Sequence, residues 1–198
     1  MKKSNIAIHA ANLIILISVL AIGNLLYDNF AMMISFYISA FGFLALVYII
    51  FILSIPLLIK IKKNMFTILL LSNRRIFGIY TFVFASIHVF LVFNYFFEWS
   101  VKRILNSMKN LYLFFGVAAF LILAAMAITS NDFAVRVLKK NWKRLHYLIY
   151  VALILILLHS INLGSNIMSN YLIKIVVIVL AIAIIAIKIL LRHVEKSK

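Results

Sequence analysis

The chain contains no cysteine, one proline, five glycines and only four acidic residues in 198 positions. The missing cysteine excludes disulfides, thiolate-ligated iron–sulfur clusters and haem attached through a Cys-x-x-Cys-His site. The four acidic residues, Asp28, Glu98, Asp132 and Glu195, all fall near the ends of apolar runs. They offer no carboxylate dyad and no acidic proton relay inside a span. The glycines, at 23, 42, 78, 116 and 164, are too scattered for a phosphate-cradling loop, and there is no His-Glu-x-x-His pair. Paired Gly/Pro interruptions in mid-run, the mark of a transporter with discontinuous helices, are also missing. Charge of either sign is scarce, at 12% against about 25% in a soluble domain.

What fills the space is hydrocarbon. Hydrophobic residues make up 67% of the chain, and the mean hydropathy is +1.17. This excludes a soluble protein and makes the lipid bilayer the main partner. A membrane-spanning helix takes about 20 predominantly apolar residues. Six such runs are present, at 6–27, 30–59, 76–97, 111–129, 145–163 and 171–191. Lys2 and Lys3 resemble the start of a signal peptide, but no small-residue cleavage site follows, so the first run is expected to be retained. The run at 65–71 is too short to span and is expected to be an interfacial or loop segment. Pro56 falls in the last turn of the second run, where a stop is tolerable. The expected fold is an all-α integral membrane protein of six transmembrane helices, a single domain over residues 1–198.

The basic residues set the expected orientation. Of the 20 Lys and Arg residues, 16 fall on one side, from Lys2 and Lys3 to Lys196 and Lys198. Only Lys102, Arg103, Lys109 and Lys174 fall on the other. The positive-inside rule then puts both termini in the cytoplasm. It also explains the net charge of +16 with no nucleic acid partner. Tyr95 and Trp99 fit an outer aromatic belt and Trp142 an inner one. Lys174 and Lys188 lie near the ends of the last run, where their stems can snorkel.

Three of the five histidines, His88, His146 and His159, lie in the third and fifth runs. An ionisable residue in a span is costly and is a functional candidate by default. Both runs leave the inner interface in the same direction, at Arg75 and at Arg144. His88 is then about 20 Å along its helix and His159 about 22 Å along its own. Two neutral imidazoles at one depth can clamp a metalloporphyrin, each giving a ring nitrogen to the iron. Phe84, Ala85, Phe90, Leu155 and Leu158 would make a dry slot for the macrocycle. Packing against backbone carbonyls is the plainer reading of each histidine alone; the pair favours haem.

His146 lies about 3 Å past Arg144, far from that level. It is either the orphan member of a second site or a half-exposed interfacial residue. His146 and His159 are about 140° apart in azimuth on an ideal helix, so two stacked sites would need a bent helix or differently turned porphyrins. His9 could complete a site with His146 or simply lie at the interface. No role falls to His193. Arg74, Arg75 and Arg144 serve topology, with propionates or a flavin phosphate as the second reading.

Two stretches then carry a resemblance. Arg74-Arg75-Ile76-Phe77-Gly78 leads on to His88, and Thr129-Ser130 leads through Trp142-Lys143-Arg144-Leu145-His146 to Tyr150 and His159. Over about residues 56–160 the chain resembles the ferric-reductase-like transmembrane domain. Within it, the likeness is to haem-binding membrane subunits of bacterial periplasmic methionine sulfoxide reductase systems. Helices one and two match in hydropathy more than in residues, and His9 sits where such proteins can carry a histidine.

The resemblance implies six helices around b-type haem. Relatives with attached flavin domains place two histidines on each of two helices; here the inner position on helix three is Arg74 or Arg75. Flavin mononucleotide is a further cofactor the resemblance raises, with no binding residue assigned. The implied function is an electron conduit across the bacterial inner membrane, a subunit of an oxidoreductase system with no catalytic residue of its own. Its donor would be a cytoplasmic flavin reductase or membrane quinol, its acceptor a periplasmic molybdopterin methionine sulfoxide reductase. His88 and His159 would hold haem iron, and His146 a second haem. The alternatives are a haem-containing ferric or oxygen reductase component fed by a separate flavoprotein, and a haem-free transporter or assembly factor.

Overall fold

The computed structural model describes residues 3–196; Lys2 and Lys198, counted above on the basic side, lie outside them. Among the described residues every regular element is helical and none is a strand. Six helices are long and apolar enough to cross a membrane. α1 is Lys3–Leu26 and α2 is Phe30–Ile61, continuing through Pro56 two residues beyond the expected end. The short apolar run forms α3, Met65–Ser72, a helix of eight residues. It holds because Asn64 and Thr67 cap it reciprocally: Asn64 Oδ1 accepts from Thr67 N at 2.9 Å and Thr67 Oγ1 from Asn64 N at 3.1 Å. Met65 and Phe66 remain exposed, as on a helix lying along an interface.

The third span is α4, Arg74–Leu91, whose last turn widens into a π-helix at Val92–Phe96. Beyond it Glu98 and Trp99 take positive φ angles, and α5, Val101–Ser107, crosses the loop. α6 is Leu111–Ile128, and α7 is Asp132–Leu138. The fifth span crosses as one helix over Lys140–Leu163, as expected, but tightens at Leu148, between α8, Lys140–Tyr147, and α9, Ile149–Leu163. The Leu148 amide donates to Leu145 O at 3.0 Å, a tight three-residue turn. α10 is Tyr171–Lys196.

α2 is the axis of the bundle. It supplies more of the buried apolar side chains than any other helix, among them Phe41, Leu46, Ile49 and Ile55. Its main partner is α4, while α6 packs chiefly on α9. α1 is peripheral, with Leu13, Ile14, Leu25 and Leu26 exposed. In water these side chains would be a liability; in lipid they are matched by acyl chains. Six crossings bring the start of α1 and the end of α10 to one face, here called the terminal face. Ser39 Oγ donates to Ser165 O and Asn166 Nδ2 to Ser35 Oγ at 3.0 Å. These bonds tie the α9–α10 loop to the far end of α2.

Candidate functional site

Within the bundle the α4 and α9 histidines converge. The ring centroids of His88 and His159 are 6.2 Å apart, with the planes at 87°. His88 Nδ1 lies 2.8 Å from Ile38 O on α2, and His159 Nδ1 lies 2.9 Å from Tyr112 O on α6. A carbonyl carries no proton, so both Nδ1 atoms must donate. That fixes the tautomer and leaves the lone pair on each Nε2. Of the five residues expected to wall the pair, Phe84 and Ala85 are buried, with Phe84 packed edge-on to Tyr48. Phe90 and Leu158 are exposed on the outside of the bundle and wall nothing; their azimuth turns them away.

His146 occupies different surroundings nearer the terminal face. Its ring stacks on Trp142 at a centroid distance of 3.9 Å and 24° between planes. Its Nδ1 donates to Trp142 O at 3.1 Å. Trp142 in turn gives its indole N–H to Thr129 O at 2.9 Å, so it packs inside the protein and not only in an interfacial belt. His146 Nε2 is buried with no hydrogen-bond partner among the described residues. Such an atom is uncommon in a native fold. It lines a cavity of about 480 Å³ together with Arg74, Arg75, Lys143, Lys188 and Tyr150.

The structure sorts the remaining candidates. His9 Nδ1 pairs with Tyr80 Oη at 2.8 Å and does not line the His146 cavity. The tyrosine is near in space but 71 positions away in sequence, so no local pattern announced it. Arg144 is also outside the lining; its guanidinium is 3.5 Å from Asn141 Oδ1. Lys143 and Lys188 take the place expected of it. Arg75 bonds Asp132 at 2.7 Å. The Arg75 hydrogen bond and charge hold the fully exposed Asp132 carboxyl below its ordinary range. Lys174 Nζ reaches Ile161 O at 2.9 Å, securing the end of α9. In the α4–α6 loop Arg103 is paired with Glu98 at 2.7 Å. His193 is exposed.

The chain is thus a six-span helical membrane protein with a histidine pair between two of its helices. Residues 38–157 match the family model described as ferric reductase like transmembrane component, and the chain belongs to that family. Among curated relatives it is similar to the protein-methionine-sulfoxide reductase heme-binding subunit MsrQ of Xanthomonas campestris pv. campestris strain B100. Identity there is 39% over 94 residues, 46% of this chain and 42% of that relative. The subunit of the same description from Xanthomonas euvesicatoria pv. vesicatoria strain 85-10 is 40% identical over 88 residues, 43% of this chain and 40% of its own. That from Agrobacterium fabrum strain C58 is 32% identical over 116 residues, covering 55% and 51%. The matched stretches thus span about two-fifths to one half of these relatives.

Proposed function

We propose that the protein is a haem-binding redox subunit of a methionine sulfoxide reductase system, with His88 and His159 as the axial ligands of one b-type haem. The ring spacing carries this reading. His88 and His159 stand at 6.2 Å. Among the described residues no group of three or more His, Cys, Asp or Glu could hold a bare ion. A pair of imidazoles therefore suits a metal whose other ligands come from a macrocycle. When bound, the haem supplies one-electron exchange.

The protein's part is orientation and exclusion. The Ile38 and Tyr112 carbonyls hold the Nδ1 protons and raise the basicity of Nε2. Phe84 and its neighbours keep water from one side of the site. The His146 cavity supports a second cofactor place. Nε2 offers one ligand to a second haem, and Arg74, Arg75, Lys143 and Lys188 offer charge-assisted donors to propionates or to the phosphate of flavin mononucleotide.

Orientation rests on the basic residues, which put the terminal face in the cytoplasm; the helical spans and the family suit the bacterial inner membrane. Electrons then come from a flavin reductase or membrane quinol on the His146 side. They leave on the other side to a periplasmic molybdopterin methionine sulfoxide reductase. The relatives' names support a methionine sulfoxide reductase as the partner. The family match also suits a ferric reductase component fed by a separate flavoprotein; reduction of ferric chelates without the sulfoxide reductase would select that reading.

The first test is the purified protein's absorption spectrum. A Soret band with a sharp α-band on reduction is expected. A colourless preparation from haem-replete cells overturns the proposal.

A further inference from the structure

We infer that Gly42 and Gly116 are positioning residues for the two axial histidines, forming one cradle built twice. The inference rests on the haem reading above and deepens it. α2 carries Ile38-Ser39-Ala40-Phe41-Gly42, and α6 carries Tyr112-Leu113-Phe114-Phe115-Gly116. In each, the residue whose carbonyl accepts the imidazole proton stands four positions before a glycine preceded by phenylalanine. Four residues is about one helical turn, so the carbonyl and the glycine share a face.

The imidazoles use the missing side chains. A Cβ on Gly42 would meet His88 Nδ1 at 2.9 Å and Cε1 at 3.2 Å. On Gly116 it would meet His159 Nδ1 at 2.6 Å and Cε1 at 2.8 Å. Ordinary contact between such atoms is about 3.5–4.0 Å. Any residue but glycine would therefore push the ring off its carbonyl. Close packing is shared by Gly23, against the Tyr37 ring, and by Gly164, against Ser160 O and Met168, while Gly78 has nothing within 4 Å; only Gly42 and Gly116 have an imidazole as the neighbour.

Both cradles lie at the two most extensive helix contacts, α2 with α4 and α6 with α9, so neither ring can shift freely. Each glycine thereby sets the length of the Nδ1–H···O=C bond and, through it, the donor strength of Nε2 toward iron. Gly42 acts on His88 and Gly116 on His159.

The test uses the full chain in detergent, with Gly42→Ala, Gly116→Ala and Gly23→Ala beside wild type. Haem per protein, oxidised and reduced spectra, and midpoint potential are measured. Gly42→Ala and Gly116→Ala should each lose haem, or keep it with a shifted Soret band and a displaced potential. Gly23→Ala crowds a tyrosine instead of a ligand, so it should lower thermal stability with spectrum and potential unchanged. If wild type binds no haem, the haem reading itself fails. If wild type is six-coordinate and both glycine variants match its spectrum and potential, the cradle alone is overturned. Where Gly42→Ala or Gly116→Ala fails to accumulate, the double variant with His88→Ala or His159→Ala should accumulate as the histidine variant does. If removing the imidazole gives no such relief, the inference is overturned as well.

Discussion

His146 both stacks on Trp142 and donates its Nδ1 proton to the same residue's carbonyl at 3.1 Å. One residue thus fixes the plane of the imidazole and its tautomer, and Nε2 is left buried with no hydrogen-bond partner among the described residues. The helix tightens at Leu148, two residues further on. That tight turn lies between this histidine and the one on α9.

The three histidines of the third and fifth spans are therefore expected to behave differently. His88→Ala and His159→Ala should each lose the main haem or leave it five-coordinate. His146→Ala should preserve the main six-coordinate spectrum, and either lower the haem count or slow reduction by the donor. Counting haem per protein and recording reduced spectra for the three variants checks this. Total loss of haem in His146→Ala beside a normal His88→Ala would refute the pairing.

The Arg75–Asp132 pair gives a pH dependence with a definite sign. Asp132 is held below its ordinary pKa in the folded protein. Its contribution to stability is therefore present above the unfolded value, about 3.9, and is lost as pH falls through the lower folded value. Asp132→Asn should melt slightly below wild type at neutral pH and low salt, with the gap closing below about pH 4. Both partners are exposed enough for salt to screen the effect. A gap that widens on acidification would show that the pair does not stabilise the fold.

Loop charge is expected to matter unequally for the acceptor. Arg103 is already neutralised by Glu98, so Lys102 and Lys109 carry more of the field a partner meets. Reversing both lysines should slow electron transfer to the acceptor, while Arg103→Glu does less, with the haem spectrum intact in each. Transfer rates independent of both substitutions and of ionic strength would argue against docking at this loop.

The chain alone is expected to lack NAD(P)H-dependent activity. A dinucleotide site needs a βαβ unit of about 30 residues opening on a Gly-rich turn. The glycines are spread over positions 23, 42, 78, 116 and 164, and no strand occurs among the described residues. Rapid reduction of bound haem by NADPH in a flavoprotein-free preparation would contradict this.

The sequence determined what depends on distance along a helix. Length and apolarity defined the six spans, because a bilayer demands about 20 residues wherever they occur. The rise per residue put His88 and His159 at one depth, and the structure places their rings 6.2 Å apart. Tertiary structure decided what depends on azimuth and on partners from other helices. Each residue adds about 100° of rotation, so a small change in register or a tightened turn such as that at Leu148 redirects every side chain beyond it. That is why Phe90 and Leu158 face outward, and why Lys188 joins Arg74 and Arg75 around a cavity while Arg144 stays outside. It is also why His9 finds Tyr80, and why the Ile38 and Tyr112 carbonyls receive the imidazole protons. No pattern within one helix contains those neighbours; only the packing of α2 on α4 and α6 on α9 supplies them.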